Sequence, residues 1–202
     1  TNGIGQATKI FFINPLIGWA TGGSNIYKTT DGGENWAMQF AAPGAGSYTS
    51  IHFVDSLYGW ASIINRRPYK TTDGGQNWIE QTNFIYFQTR DVYFNNYETG
   101  WIITGSGGNN LLKTSDGGDN WNPEIEVVGS FRFHFFPDPL HWMINGSRRY
   151  ITEDGGNTFI DITDDAPTGF ASFGSITDKL GYAVGSFGLI LRYDDTSYVP
   201  IE

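Results

Sequence analysis

The chain is written in short runs of alternating apolar and polar residues, separated by Gly, Asn, Pro and Asp. One stretch shows the unit. SIHFVD over Ser50–Asp55 predicts a first strand, and GWASII over Gly59–Ile64 a second after the turn SLYG. YKTT follows NRRP as a third strand, and a DGG turn leads into NWIEQT, Asn77–Thr82, as a fourth. Runs of this length, rich in aromatic and β-branched residues, read as strands. No window offers helical apolar spacing with caps.

The unit recurs. YKTTDGGENW (Tyr27–Trp36) returns as YKTTDGGQNW (Tyr69–Trp78), LKTSDGGDNW (Leu112–Trp121) and, altered, YITEDGGNTF (Tyr150–Phe159). A last copy is LRYDDTSYV (Leu191–Val199), so the aspartates fall at 31, 73, 116, 154 and 194. A second ladder confirms the period: Trp19, Trp60, Trp101, Trp142 and Tyr182 follow one another at 41, 41, 41 and 40 residues. Four-stranded units of about 40 residues are the pattern of a propeller blade. The expected fold is therefore an all-β, five-bladed propeller of four-stranded antiparallel blades. It would be one domain over 1–202, with blades near 7–41, 48–83, 89–125, 130–164 and 170–202. The chain starts in the first strand of copy one and ends in the fourth strand of copy five, so five whole copies fit within the ~4–8 blades that close.

Composition narrows the function classes. Twelve Lys and Arg against 21 Asp and Glu give a net charge of −9, which disfavours nucleic acid, whose phosphates need a basic face. The absence of Cys removes disulfides and thiolate chemistry. No apolar run approaches the ~18 residues of a membrane span. With 27 Gly, few Lys and many aromatics, the composition leans towards a secreted, extracellular or cell-surface protein.

The boxes TTDGGENW, TTDGGQNW and TSDGGDNW resemble the Asp-box (BNR) repeat, Ser/Thr-x-Asp-x-Gly-x-x-Trp. The longer pattern F…GWA.G…I.KTTDGG..W looks most like the photosystem II assembly-factor-like repeat family, shared by many secreted bacterial modules. The resemblance runs from about Ile10 to Tyr193. For some members it implies chaperoning of photosystem assembly, although those relatives look seven-bladed and this chain has five copies. Read from the residues, each Asp heads a hairpin turn where its carboxylate can accept backbone N–H groups. The glycines supply backbone angles that other residues resist, and the aromatic five residues on plugs the space between blades. A residue copied in every blade is expected to be structural rather than catalytic. That assigns Asp31, Gly33 and Trp36, Asp73, Gly75 and Trp78, Asp116, Gly118 and Trp121, and Asp154, Gly156 and Phe159 to turn architecture. Trp19, Trp60, Trp101 and Trp142 are expected in the inter-blade core.

Strand order sorts the loops into two ends. The DGG turns share one end with the turns between first and second strands, and most acidic residues fall there. The opposite end takes six of the seven Arg: Arg66, Arg67, Arg90, Arg132, Arg148 and Arg149. Arg suits bidentate recognition of carboxylate or phosphate, and Tyr48, Phe84, Tyr86, Phe87 and Phe131 lie in the same loops. The candidate ligand face is thus Tyr48, Arg66, Arg67, Tyr86, Arg90, Arg132, Arg148 and Arg149. The alternative is that these Arg pair with Glu80, Asp91, Glu124 and Glu126 and keep the surface soluble.

Enzyme readings fare worse. Asp-box propellers include sialidases and xyloglucanase-type hydrolases. Sialidase chemistry needs an Arg triad with Tyr, Glu and Asp, and two-carboxylate hydrolysis needs a facing pair. Asp91 is the sole acid at an inner-strand start. His52 and His134 could line a central channel. No metal site is expected, since Asp161, Asp164 and Asp165 lack the spacing of a known calcium loop. Asn145 in NGS matches a glycosylation acceptor. The expected function is a non-catalytic interaction or scaffold module without cofactor, binding a protein or glycan. The alternatives are a self-associating structural subunit and, last, a carbohydrate-active hydrolase.

Overall fold

A computed structural model describes residues 4, 6–44, 46–85, 88–105, 111–126, 132–135, 140–163, 170–177, 180–185, 190–194 and 198–200, with backbone alone at 135 and beyond 163. The described residues form no helix. They build four-stranded antiparallel sheets, each laid down in sequence order.

The chain divides into two compact units, Thr1–Val127 and Val128–Glu202. The first unit holds three sheets. One comprises β1 (Lys9–Phe12), β2 (Gly18–Gly22), β3 (Asn25–Thr29) and β4 (Ala37–Ala41). The next comprises β5 (Tyr48–Phe53), β6 (Gly59–Ile63), β7 (Tyr69–Thr71) and β8 (Ile79–Glu80), and the third β9 (Thr89–Phe94), β10 (Gly100–Thr104), β11 (Leu111–Thr114) and β12 (Asn122–Ile125). The second unit holds two sheets. They are β13 (Arg132–Phe135) to β16 (Ile160–Asp161), through β14 (Trp142–Asn145) and β15 (Arg149–Thr152), and then β17 (Phe170–Thr177), β18 (Leu180–Gly185), β19 (Ile190–Asp194) and β20 (Tyr198–Pro200).

Register repeats with the sequence. Trp19 of β2 faces Lys28 of β3, Trp60 of β6 faces Lys70 of β7, and Trp101 of β10 faces Lys113 of β11. The second strands are buried along their length, GWATG at all but its last residue and GWASI throughout. The fourth strands are outermost and short. Only Ile79–Glu80 of the expected Asn77–Thr82 is strand, because Asn77 is held by Asp73 and Trp78 turns into the core.

The core of the first unit consists of aromatic stacks between sheets. The Trp19 ring lies 3.6 Å from that of Phe53 at an interplanar angle of 10°, and Phe53 meets Trp78 edge-on at 5.8 Å. The next pair repeats this, with Trp60 on Phe94 at 3.6 Å and 7°, and Phe94 edge-on to Trp121 at 5.8 Å. The indoles of these two stacks also donate a hydrogen bond into the next sheet's DGG corner, Trp19 Nε1 to Gly74 O at 3.2 Å and Trp60 Nε1 to Gly117 O at 2.9 Å. Lys28 Nζ reaches the same Gly74 carbonyl at 2.9 Å. A polar latch thus closes each stack, so that the buried indole N–H is satisfied where it packs.

Candidate functional site

Two ends of the sheets carry the residues singled out by sequence. At one end the DGG corner is a closed hydrogen-bond cage. Thr29 Oγ1 donates to Asp31 Oδ1 at 2.7 Å and accepts from Gly33 N at 2.9 Å. Asn35 gives its backbone N–H to Asp31 Oδ1 at 2.9 Å and its side-chain amide to Oδ2 at 2.8 Å. The corners at Asp73 and Asp116 repeat these bonds with Thr71 and Asn77, and with Thr114 and Asn120. At Asp154, Thr158 takes the place of the asparagine. Both glycines of each corner take positive φ, 75° and 95° at Gly32 and Gly33, a region side chains resist. Donation from the Asn35 backbone holds the Asp31 carboxyl down at about 2. With both oxygens occupied and the charged form favoured, this group is a poor proton donor at neutral pH.

The corner also closes against the turn between first and second strands. Gly32 N donates to Leu16 O at 2.9 Å, Gly74 N to Leu57 O at 2.8 Å and Gly117 N to Glu98 O at 2.7 Å. Those turns are themselves capped: the side-chain oxygens of Asn14, Asp55 and Asn96 each accept two backbone N–H groups. The 41-residue spacing of 14, 55 and 96 was a legible signal for these caps, and Asp55 is a turn cap as well as a surface charge.

Within each unit, arginines lie in or beside the loops opposite the DGG corners. In the first unit, Arg66 and Arg67 follow Asn65, whose φ of 59° turns the chain between β6 and β7. The Arg66 guanidinium lies along Gly44, where an added Cβ would stand 2.5 Å from Nη2, and its charge opposes the rise that burial gives the Tyr69 hydroxyl. Arg67 is half-buried, and its Nε donates to Phe84 O at 3.0 Å. Arg90 is exposed on β9 and lies against Gly105, where an added Cβ would stand 2.6 Å from Nε. Among the described residues, Arg66, Arg67 and Arg90 have no ion-pair partner.

In the second unit, Arg132 is exposed on β13, and Arg148 pairs with Asp161 at 3.4 Å. Arg149, expected on the ligand face, is instead buried. Neighbouring residues on a strand point to opposite faces, and Nη2 of Arg149 donates inward to Thr163 O at 3.0 Å.

Two aromatic residues move in the same way. Tyr48 begins β5 with its ring buried, and burial raises its hydroxyl above the usual phenol range. Phe84 is buried edge-on to Trp121 at 6.0 Å. Neither presents a surface to a ligand. Tyr86, Phe87, Phe131, Asp164 and Asp165 lie outside the described residues. His52 sits between Phe11 and Tyr93, 4.7 and 4.9 Å between ring centroids, and burial lowers its pKa to about 3. Among the described residues no group of three or more His, Asp or Glu is placed to hold a metal ion, and no helix is long and apolar enough to cross a membrane.

Consecutive four-stranded antiparallel sheets, stacked through second-strand indoles, define a β-propeller type of protein. The sequence matches no protein-family model and no curated protein. Solved structures share the fold. A structure of YCF48 bound to D1 peptide aligns with a TM-score of 0.53 at 16% identity over 93% of each chain. YCF48 from Cyanidioschyzon merolae aligns at 0.62 and 16% identity, over 97% of this chain and 72% of that one. A GH74 enzyme from Niastella koreensis aligns at 0.75 and 16% identity, over 96% of this chain, which spans 38% of the enzyme.

Proposed function

We propose that this chain is a non-catalytic interaction module whose arginine-bearing end binds a protein partner through exposed carboxylates. In this reading the sheets are five blades of one repeat with corners of the Asp-box type, in a secreted or cell-surface setting. The observation that carries the proposal is the set of guanidinium groups at Arg66, Arg67 and Arg90 with no ion-pair partner among the described residues. Pairing with Glu80 or Asp91 would have neutralised them. Unpaired guanidinium forks on a preorganised surface suit bidentate carboxylate recognition, and glycine floors at Gly44 and Gly105 hold Arg66 and Arg90 in place. YCF48, similar over 93% of both chains, carries a D1 peptide in its structure, which is a protein-binding use of this fold. The GH74 enzymes offer the competing reading. Against it stand the corner aspartates, whose oxygens are engaged in turn bonds.

The test is binding to an array of acidic peptides, with an array of acidic glycans as the second arm, at low and moderate salt. Peptide capture should weaken as salt rises. Changing Arg66→Gln and Arg67→Gln together should lower affinity about tenfold or more, as expected for loss of charge-assisted bonds. Arg149→Gln does not belong in that test, because its loss would disturb folding. Undiminished capture by the double variant would remove the proposal, and retention on glycans alone would replace the protein partner with a saccharide.

A further inference from the structure

The chain repeats a chemically fragile dipeptide. Asp-Gly begins at Asp31, Asp73, Asp116 and Asp154, and Asn-Gly at Asn2, outside the described residues, and at Asn145. In such a pair the Gly nitrogen can attack the carbonyl carbon of the preceding side chain, because glycine has no side chain to shield it and its backbone turns freely. Two things govern the attack: whether the nitrogen is already hydrogen-bonded, and whether the carbon belongs to an ionised group.

The corners are closed to this reaction on both counts. The N–H groups of Gly32, Gly74, Gly117 and Gly155 donate to Leu16 O, Leu57 O, Glu98 O and Leu140 O at 2.7–2.9 Å. Donors from Asn35, Asn77 and Thr158 hold the carboxyls of Asp31, Asp73 and Asp154 below the ordinary range, so they stay ionised and expel no leaving group at neutral pH. Asn145-Gly146 lacks both protections. Asn145 is the half-buried last residue of β14, and Gly146 opens the turn into β15. The Gly146 N–H has no hydrogen-bond partner among the described residues, and the carboxamide of Asn145 is neutral, so its carbon stays electrophilic.

We propose that Asn145 is a deamidation site, a one-way modification that sets a carboxylate among the arginines of the second unit. The Gly146 nitrogen bonds to Asn145 Cγ, the Cγ–Nδ2 bond breaks, and ammonia leaves with the proton that Gly146 gives up. Water then opens the cyclic imide at either carbonyl, giving aspartate or isoaspartate. Nothing but water is consumed. The register decides what the new charge meets. Asn145 stands opposite Arg132 of β13 and opposite Arg149 of β15, and directly opposed residues share a sheet face with Cβ atoms about 4.5–5.5 Å apart. A carboxylate at 145 thus lies between two arginines, which favour its ionised form, and it engages the exposed Arg132. The inference rests on the second unit alone and does not depend on the arginines of the first.

Native protein held for weeks at mildly alkaline pH, digested at mildly acidic pH and mapped by mass spectrometry, tests the site. The tryptic peptide Phe133–Arg148 carries Asn145 as its sole amide side chain. Its conversion should outpace isomerisation at every Asp-Gly corner by about tenfold or more, the factor that one hydrogen bond on the attacking nitrogen withholds. Conversion should quicken as pH rises, and Gly146→Ala, which shields the nitrogen, should slow it severalfold. In Asn145→Asp, which writes the product directly, the new carboxyl should titrate below the ordinary Asp range by NMR, and adding Arg132→Gln should raise it again. An intact Asn145 when corner isomerisation is already measurable, or a rate unchanged in Gly146→Ala, would overturn the modification site. A carboxyl that titrates in the ordinary range with and without Arg132 would overturn its pairing with the arginines.

Discussion

Replacing Trp60 by Phe tests the latch between sheets. The substitution keeps an aromatic ring over Phe94 but removes the indole N–H that reaches Gly117 O at 2.9 Å. Leaving a buried carbonyl without that donor costs about 1–3 kcal/mol. The smaller ring gives up stacking area and leaves a gap, worth about 1 kcal/mol more. The expected loss is about 2–4 kcal/mol, or a fall in melting temperature of roughly 5–15 °C for a chain of this size. Trp19→Phe is the internal control. There Gly74 O keeps its bond from Lys28 Nζ at 2.9 Å, so the orphaned-carbonyl cost largely disappears and the loss should be about 1 kcal/mol smaller. Urea unfolding followed by far-UV circular dichroism reads both variants without relying on Trp fluorescence. Equal losses, or a Trp60→Phe loss within about 0.5 kcal/mol of zero, as for a surface change, would refute the latch.

Other outcomes follow from the same geometry. Gly59→Ala and Gly100→Ala would each place a Cβ at 2.4 Å from the Phe53 or Phe94 ring, so each should destabilise by about 1–3 kcal/mol through overpacking, read in the same urea assay. Asp31 is held down by the Asn35 backbone N–H. Its folded value lies below the unfolded one, so its contribution is complete above about pH 4. That contribution is lost as pH falls towards 2, and Asp31→Asn should flatten that part of the melting-temperature profile. His52 is held neutral by burial, at about 3 against an ordinary 6.5. Its ring protons should therefore show no titration by NMR between pH 8 and 5. The unfolded chain takes up that proton first, so stability should decline from about pH 6.5 downwards, and His52→Phe should remove that slope. A His52 titration near pH 6.5 would contradict the packing between Phe11 and Tyr93.

Which loops or strand starts the arginines occupy within each unit was legible from strand order, but not their surroundings. Their pairing could not be read, since whether Arg66 meets Glu80 depends on side-chain paths in space. Arg148 and Arg149 are adjacent in the chain, yet strand pleat sends one to Asp161 at the surface and the other inward to Thr163. Tyr48 and Phe84 sit in segments that read as loops, but both are buried because the sheets need ring area at their margins.

By itself the sequence determined everything set within about ten residues. Alternation chose the strands, Asp-Gly-Gly chose the corners, and the Thr, Asp and Asn of the first three boxes carry donors and acceptors that satisfy one another wherever the chain lies. Only tertiary structure decided what meets across 55 or 57 residues, the separations of Trp19 from Gly74 and Trp60 from Gly117. It alone decided that Phe53 is sealed under the Trp19 ring of the preceding sheet. The physical reason is range: a turn bond forms between groups the backbone already holds together, whereas burial exists only once another sheet has arrived.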